Sequence, residues 1–267
     1  MKSTKKLLIL LFILLISIGG VLVSFKDVLF PNNTDTPIIN NNDNVDVNQN
    51  DTDEYTVYTD EYDANYAINQ DYVGMIEFAS GLVDLPFVQG HDEDMLVAYD
   101  KYLRTDWKTM ERDDEGSIFM DPQNTIDDQN VVLYGHYVYP HLDPSRTHKF
   151  TPLHELKEES NYETHKTIRI ILEDEIRVYE VAHVYYAKIN LDDPINPIET
   201  GMEYMYTAFN DDDLAYYLGR VKEIEFHNTG IEITPVDRFL TLQTCVENRD
   251  DLRLIVIAKE VEVIKTR

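Results

Sequence analysis

Phe239-Leu240-Thr241-Leu242-Gln243-Thr244, then Cys245, then Arg253-Leu254-Ile255-Val256-Ile257 eight positions on, is the stretch from which the fold can be read. Both apolar runs are short and rich in aliphatic and β-branched residues. They read as two strands, 239–244 and 253–264, joined by a polar loop over 246–252. Alternation is clearest near the end, in Val261-Glu262-Val263. Outward from this pair the same pattern recurs. Tyr72-Val73-Gly74-Met75-Ile76-Glu77-Phe78 and Leu82-Val83-Asp84-Leu85-Pro86-Phe87-Val88 flank a Ser80-Gly81 turn. Ser117-Ile118-Phe119-Met120 and Val131-Val132-Leu133-Tyr134 are two more strand runs, and 166–172 with 176–189 reads as a hairpin turning at Glu173-Asp174-Glu175. One helix signal stands among them. Asn210-Asp211-Asp212-Asp213 supplies caps and N-terminal negative charge ahead of Leu214-Ala215-Tyr216-Tyr217-Leu218-Gly219-Arg220-Val221-Lys222. About eight strands and few helices predict a mainly β protein with a closed or nearly closed barrel.

The composition narrows the function. Of 267 residues, 50 are Asp or Glu and 23 are Lys or Arg, a net charge of −27. That excludes a general nucleic-acid binder, which needs basic surface. A single cysteine excludes an intramolecular disulfide framework and a thiolate zinc cage. A hydrophobic fraction of 43% is that of a folded protein, so the charge does not mean disorder.

The charge is unevenly placed. Residues 1–26 carry +4, 27–66 carry −10 and the remainder −21. Lys2, Lys5 and Lys6 precede an apolar run from Leu7 that reaches Phe25 in 19 residues. At ~1.5 Å per residue it is about 28 Å long, one hydrocarbon core. It is long for a cleaved signal peptide, and Gly20-Val21-Leu22 is a poor cleavage site. The expectation is an uncleaved single-pass helix with its N-terminus in the cytoplasm and the bulk of the chain outside. Residues 27–63, acidic and Asn-rich, read as a solvated linker, with the folded domain over 64–267. Irregular spacing argues against calcium binding there.

Candidate chemistry collects at strand ends. Cys245 closes one strand beside a charged loop. A lone cysteine is as readily an inert small hydrophobe as a nucleophile, but a strand end is where a reactive thiol meets solvent. His136 ends the run Val131-Val132-Leu133-Tyr134-Gly135-His136, with Gly135 permitting a tight turn. His183 lies mid-strand, as a core or rim residue. His91, His141, His148, His154, His165 and His227 sit in polar contexts and read as surface. Arg253 opens the last strand, where a guanidinium could stabilise an oxyanion or, alternatively, guard a sheet edge; Arg249, mid-loop, is the other cation.

Tyr134-Gly135-His136, Thr241-Leu242-Gln243-Thr244-Cys245 and Arg253 before Leu254-Ile255-Val256-Ile257 resemble, in that order, the signature of the sortases. The histidine and cysteine are 109 residues apart. The rest resembles class B in particular. Asn69-Gln70-Asp71-Tyr72-Val73-Gly74-Met75-Ile76 matches the class B opening segment, with Met75 where Trp is usual. Leu85-Pro86-Phe87-Val88-Gln89, Gly116-Ser117-Ile118-Phe119-Met120-Asp121, Phe150-Thr151-Pro152-Leu153 and the helix near 212–225 also match. Asp92-Glu93 departs from the usual Asp-Asn.

The resemblance implies an eight-stranded barrel and a cysteine transpeptidase of Gram-positive type. Such an enzyme cleaves a C-terminal sorting signal of a surface protein between Thr and Gly. It then joins the Thr to an amine of cell-wall precursor or of a pilin. It implies Cys245 as nucleophile, His136 as general acid/base and Arg253 as the cation that positions substrate and oxyanion. Lesser parts fall to Thr244 (backbone N–H or hydroxyl), Tyr134 (lining the pocket) and Gln243. No cofactor and no metal are implied. Two other readings stay open on the residues alone: a plain cysteine peptidase and a non-catalytic surface module with an inert thiol. Papain-type peptidases place cysteine before histidine, the reverse of the order here.

Overall fold

The computed structural model describes residues 51–189 and 203–267. The expected anchor over 1–26 and most of the expected linker lie outside them. Among the described residues no helix is long and apolar enough to cross a membrane. The strands are β1 (Tyr72–Phe78), β2 (Asp84–Gln89), β3 (Ile118–Met120), β4 (Asn130–Tyr134), β5 (Thr167–Ile171), β6 (Glu175–Lys188), β7 (Phe239–Val246) and β8 (Arg249–Lys265). The helices are α1 (Asp51–Ile68), α2 (Met95–Asp100), α3 (Tyr162–His165) and α4 (Asp211–Ile224), with a 3₁₀ helix over Thr151–Lys157.

The strands close a barrel in the order β1-β2-β3-β4-β7-β8-β6-β5, as the sequence predicts. Pairs β2–β3 and β4–β7 are parallel and the others antiparallel. Period-two alternation divides the side chains. Ile76, Phe87, Ile118, Leu133, Ile168, Val181, Leu242 and Val256 belong to one apolar cluster that draws on all eight strands, the barrel interior. Val132, Tyr134, Tyr185, Phe239, Ile255 and Ile257 join a second cluster with Tyr99 of α2, Tyr204, and Leu214 and Tyr217 of α4. The β4-β7-β8-β6 wall is thus covered on its outside too. Burial on both faces is why β4 is a continuous apolar run rather than an alternating one.

α4 follows its sequence signals. The Asn210 side chain accepts from the Asp213 N–H, three aspartates fill the first turn, and Lys222 lies in the last. Each complements the helix dipole or satisfies a free N–H.

Two expectations need correction. The linker reading fails for residues 51–63, which belong to α1. The acidic composition masks a helical recurrence of Tyr55, Tyr58, Tyr62 and Tyr66. Tyr62 stacks on Tyr66 and meets the edge of Tyr72 at 5.2 Å, which docks the helix on the barrel. The loop over 246–252 is also shorter than expected. β7 continues to Val246, β8 starts at Arg249, and Val246 pairs with Arg249. Asn248 takes the left-handed conformation that so tight a connection requires, with φ 56°. Residues 250–252 leave the ladder as a bulge beside Cys245.

Gly135 is required for space rather than for a tight turn. A Cβ there would lie 2.5 Å from Ile118 Cδ1 and 2.6 Å from the Phe150 ring. Gly135→Ala is therefore expected to destabilise the domain by about 1–3 kcal/mol. A thermal melt checks this, at roughly 2–4 °C per kcal/mol for a domain of this size.

Candidate active site

Three neighbouring strands set the site. Cys245 pairs directly with Arg253 across the antiparallel β7–β8 ladder, as Gln243 pairs with Ile255. On its other side β7 runs parallel to β4, with Tyr134 paired to Gln243. The Gly135 N–H donates to the Gln243 carbonyl at 3.1 Å. His136 follows Gly135 just past the end of β4, and Cys245 lies two residues beyond Gln243 on β7, so both stand at the same end of two parallel neighbouring strands. Tyr134 and Ile255 face the outer cluster, and Cys245 packs against it. Two-residue steps within a strand preserve the face, so Cys245 and Arg253 share the outer side of the wall with Gln243 and Ile255.

His136 is held from outside the barrel. Its Nε2 lies 2.8 Å from the Leu103 carbonyl. A carbonyl only accepts, so Nε2 carries the hydrogen and Nδ1 is left as the basic atom. Leu103 follows α2, and Gly116 lets it approach. Gly116 has φ 58°, and a Cβ there would sit 2.3 Å from the Leu103 carbonyl oxygen. Burial lowers the imidazole below its ordinary value, the Leu103 hydrogen bond opposing.

Arg253 is 1% exposed, which excludes the edge-guarding role. Its Nη1 donates to the Leu252 carbonyl at 2.7 Å and the Asp250 carbonyl at 3.1 Å, both turned toward it by the bulge. Burial raises the Cys245 thiol above its ordinary value. Arg253 pulls it down and Asp250 pushes it up. Tyr139 and Tyr204 share this field. Burial raises each phenol, with the Cys245 thiolate adding and Arg253 opposing.

The other sequence candidates separate. Thr244 pairs with Leu254 and is fully buried, on the interior face of the wall. Its hydroxyl lies on the side of the wall away from Cys245, and its backbone N–H is turned toward Leu254 in the β7–β8 ladder, so neither group faces the thiol. Tyr134 is buried rather than open to a pocket, and its hydroxyl donates to Asp121 at 2.7 Å. Tyr99 donates to the same carboxyl. Gln243 shares the outer face, and its buried amide has no hydrogen-bond partner among the described residues. Arg249 is exposed and paired with Asp251. His183 is a core residue bonded to Glu225 at 2.6 Å. His154, read as surface, is instead half-buried and bonded to the Cys245 carbonyl. Tyr204 and Leu103 carry no sequence signal, because their parts depend on contacts distant in the chain, and Asp121 is marked only as the last residue of a class B-like segment, without a role.

A thiol paired across a ladder with a buried guanidinium, and a neutral imidazole just past the end of the neighbouring strand, are the kinds of group that acyl transfer uses as nucleophile, anion-stabilising cation and acid/base. A Sortase domain family model matches residues 83–261. Sortase B of Staphylococcus aureus (strain NCTC 8325 / PS 47) is 30% identical over 203 residues, covering 73% of this chain and 72% of that protein. Sortase B of Listeria monocytogenes serovar 1/2a is 28% identical over 186 residues, covering 68% and 66%. Among solved structures, Clostridium perfringens sortase B superposes with a TM-score of 0.60 at 28% identity, covering 75% of this chain and 99% of that one. A Staphylococcus aureus sortase B–substrate complex gives 0.62 at 25% identity, covering 79% and 93%. The chain belongs to the sortase family, as a class B-like cysteine transpeptidase.

The electrostatics make a test available without substrate, since Cys245 is the chain's one cysteine. A raised thiol pKa means the thiolate forms only toward higher pH. Alkylation by iodoacetamide should therefore keep rising beyond pH 9 in the free enzyme, and Arg253→Gln should displace the curve to still higher pH. A plateau near neutral pH would contradict this reading of the site.

Proposed function

We propose that this sortase is anchored in the cell membrane by residues 1–26, with its catalytic domain outside. It cleaves a C-terminal sorting signal at a Thr–Gly bond and transfers the protein to an amine of the cell wall. The observation that supports the chemistry is the direct pairing of Cys245 with Arg253 across β7 and β8, with His136 just past the end of β4, the parallel neighbour of β7. The anchor rests on the apolar run after Lys6 and on the absence of acids before Asp27.

In this reading the Cys245 sulfur attacks the scissile carbonyl carbon while His136 Nδ1 takes the thiol proton. Arg253 stabilises the tetrahedral oxyanion. His136 then returns the proton to the departing glycine amine, which leaves an acyl thioester. The incoming amine loses a proton to His136 as it attacks, and the thiol is regenerated. The thioester retains acyl-transfer potential without a nucleotide. A sortase B solved in complex with triglycine supports a glycine-type amine as the acceptor class.

Peptides spanning a Thr–Gly bond, incubated with and without an amine, test the proposal. The expected result is cleavage that yields a new peptide–amine product. Cys245→Ala and His136→Ala should each lower turnover by at least ~10³-fold. Both should melt close to the parent temperature. Arg253→Ala should lose turnover and some stability as well, because the guanidinium is buried. Hydrolysis without amine product would favour a plain cysteine peptidase, and full activity in Cys245→Ala would end the proposal.

A further inference from the structure

The β4–β7 ladder stops one rung short of the nucleophile. In a parallel pair, alternate N–H groups of one strand reach alternate carbonyls of the next. Gly135 N–H to Gln243 carbonyl is such a rung, and the next would run from residue 137 to the Cys245 carbonyl. β4 has already ended at Tyr134, however, and the chain turns toward Lys149, with which Tyr137 forms an isolated bridge. On its other side β7 loses register immediately after Cys245, where residues 250–252 bulge out. The nucleophile therefore sits where the sheet ceases to hold its backbone on both flanks.

The Cys245 carbonyl is met by a side chain. His154, on the 3₁₀ helix over Thr151–Lys157, brings Nε2 to 3.1 Å from that oxygen. The helix is anchored by Leu153 and Leu156, both fully buried in the barrel's interior cluster, so its position is fixed by packing. Tyr137 places its ring edge-on to the imidazole with centroids 5.0 Å apart, and the Tyr137 hydroxyl donates to Glu247 at 3.0 Å. Lys157 and Arg146 oppose a charge on the imidazole and Glu247 favours one. Burial, the largest influence, acts with the two cations against Glu247 and the Cys245 carbonyl bond and pulls the pKa down to about 4, so at neutral pH the ring is uncharged. Its partner being a carbonyl, the ring donates from Nε2.

From this geometry we infer that His154 is a positioning residue for the transpeptidase: it replaces the missing rung and fixes the Cys245 strand end opposite Arg253. The inference rests on Cys245 being the nucleophile. It assigns His154 no contact with the reacting atoms. Its effect passes through the Cys245 backbone, whose shift by a fraction of an ångström would misalign the sulfur with Arg253.

Three variants of the full chain decide it, assayed with a peptide that the parent cleaves. His154→Phe keeps the ring volume and loses the donor. His154→Gln keeps an amide N–H near the ε position, and His154→Asn stops short of it. The expected result is a kcat about 10-fold or more lower in His154→Phe and His154→Asn, with KM within about twofold of the parent. His154→Gln should recover most of the loss. If His154→Phe does not fold, the Gln–Asn pair still decides. Equal activity in those two, or a loss that follows the melting temperature across the series, would overturn the inference. So would a parent-like kcat in His154→Phe. Long-range ¹H–¹⁵N spectra of the parent should show the His154 ring protonated at Nε2 and bare at Nδ1 at neutral pH; the opposite tautomer would also overturn it. Turnover that survives in Cys245→Ala would remove the nucleophile reading beneath it, while the tautomer would still report whether the histidine–carbonyl contact exists.

Discussion

The direct pairing of Cys245 with Arg253 across β7 and β8 is the constraint on which the site depends. A one-residue slip of either strand would send its side chain to the opposite face. Slippage is opposed by the two clusters on either side of the wall. Leu242, Leu254 and Val256 must stay in the barrel interior, and Phe239, Ile255 and Ile257 must stay under the helices. Register is therefore set by burial on both faces over the whole length of the ladder. The thiol and the guanidinium inherit that precision without a bond of their own. β4, in parallel register with β7 as far as Tyr134 and Gln243, ends beside the same edge of the wall and delivers His136 just beyond it.

The register break after Cys245 serves the cation. A buried guanidinium costs several kcal/mol unless its donors are met. The bulge over 250–252 turns two backbone carbonyls onto Arg253 Nη1, and neither carries a full charge. A carboxylate in the same place would have neutralised the guanidinium and cancelled its pull on the thiol. From its place across the ladder the guanidinium favours the Cys245 thiolate. The same break costs the nucleophile its continuous ladder, and this is the place that the His154 imidazole fills.

Much of this could be read in the chain because the barrel walls are built of local signals. Runs such as Val131-Val132-Leu133-Tyr134 and Leu254-Ile255-Val256-Ile257 have strand character independent of their partners. Asn210 and the aspartates after it mark a helix start by local capping chemistry. The pairing of Cys245 with Arg253 follows from a related signal: each stands at the end of a recognisable strand run, and the two runs are neighbours in the chain. What was hidden depends on tertiary contact or on composition. α1 is acidic enough to pass for a linker, and its tyrosine face has meaning only against Tyr72. The β7–β8 connection is charged enough to read as a loop, and only the ladder with β7 makes Arg249 part of a strand. His154 was hidden most completely, because its partner is a backbone carbonyl 91 positions away.

The excess of acid on this chain works against its own nucleophile. Each carboxylate near the sulfur favours the thiol over the thiolate, as Asp250 does. In 0.1 M salt, however, exposed charges more than about 10 Å away are largely screened. A net −27 spread over the chain thus has little reach into the site, whereas one guanidinium directly across a ladder is unscreened by solvent. The opposing force that remains is burial, which keeps both Cys245 and His136 neutral in the free enzyme. At the sulfur, burial and Asp250 act against one guanidinium held across the ladder, and that local balance, rather than the net charge of the chain, sets how readily the thiol ionises.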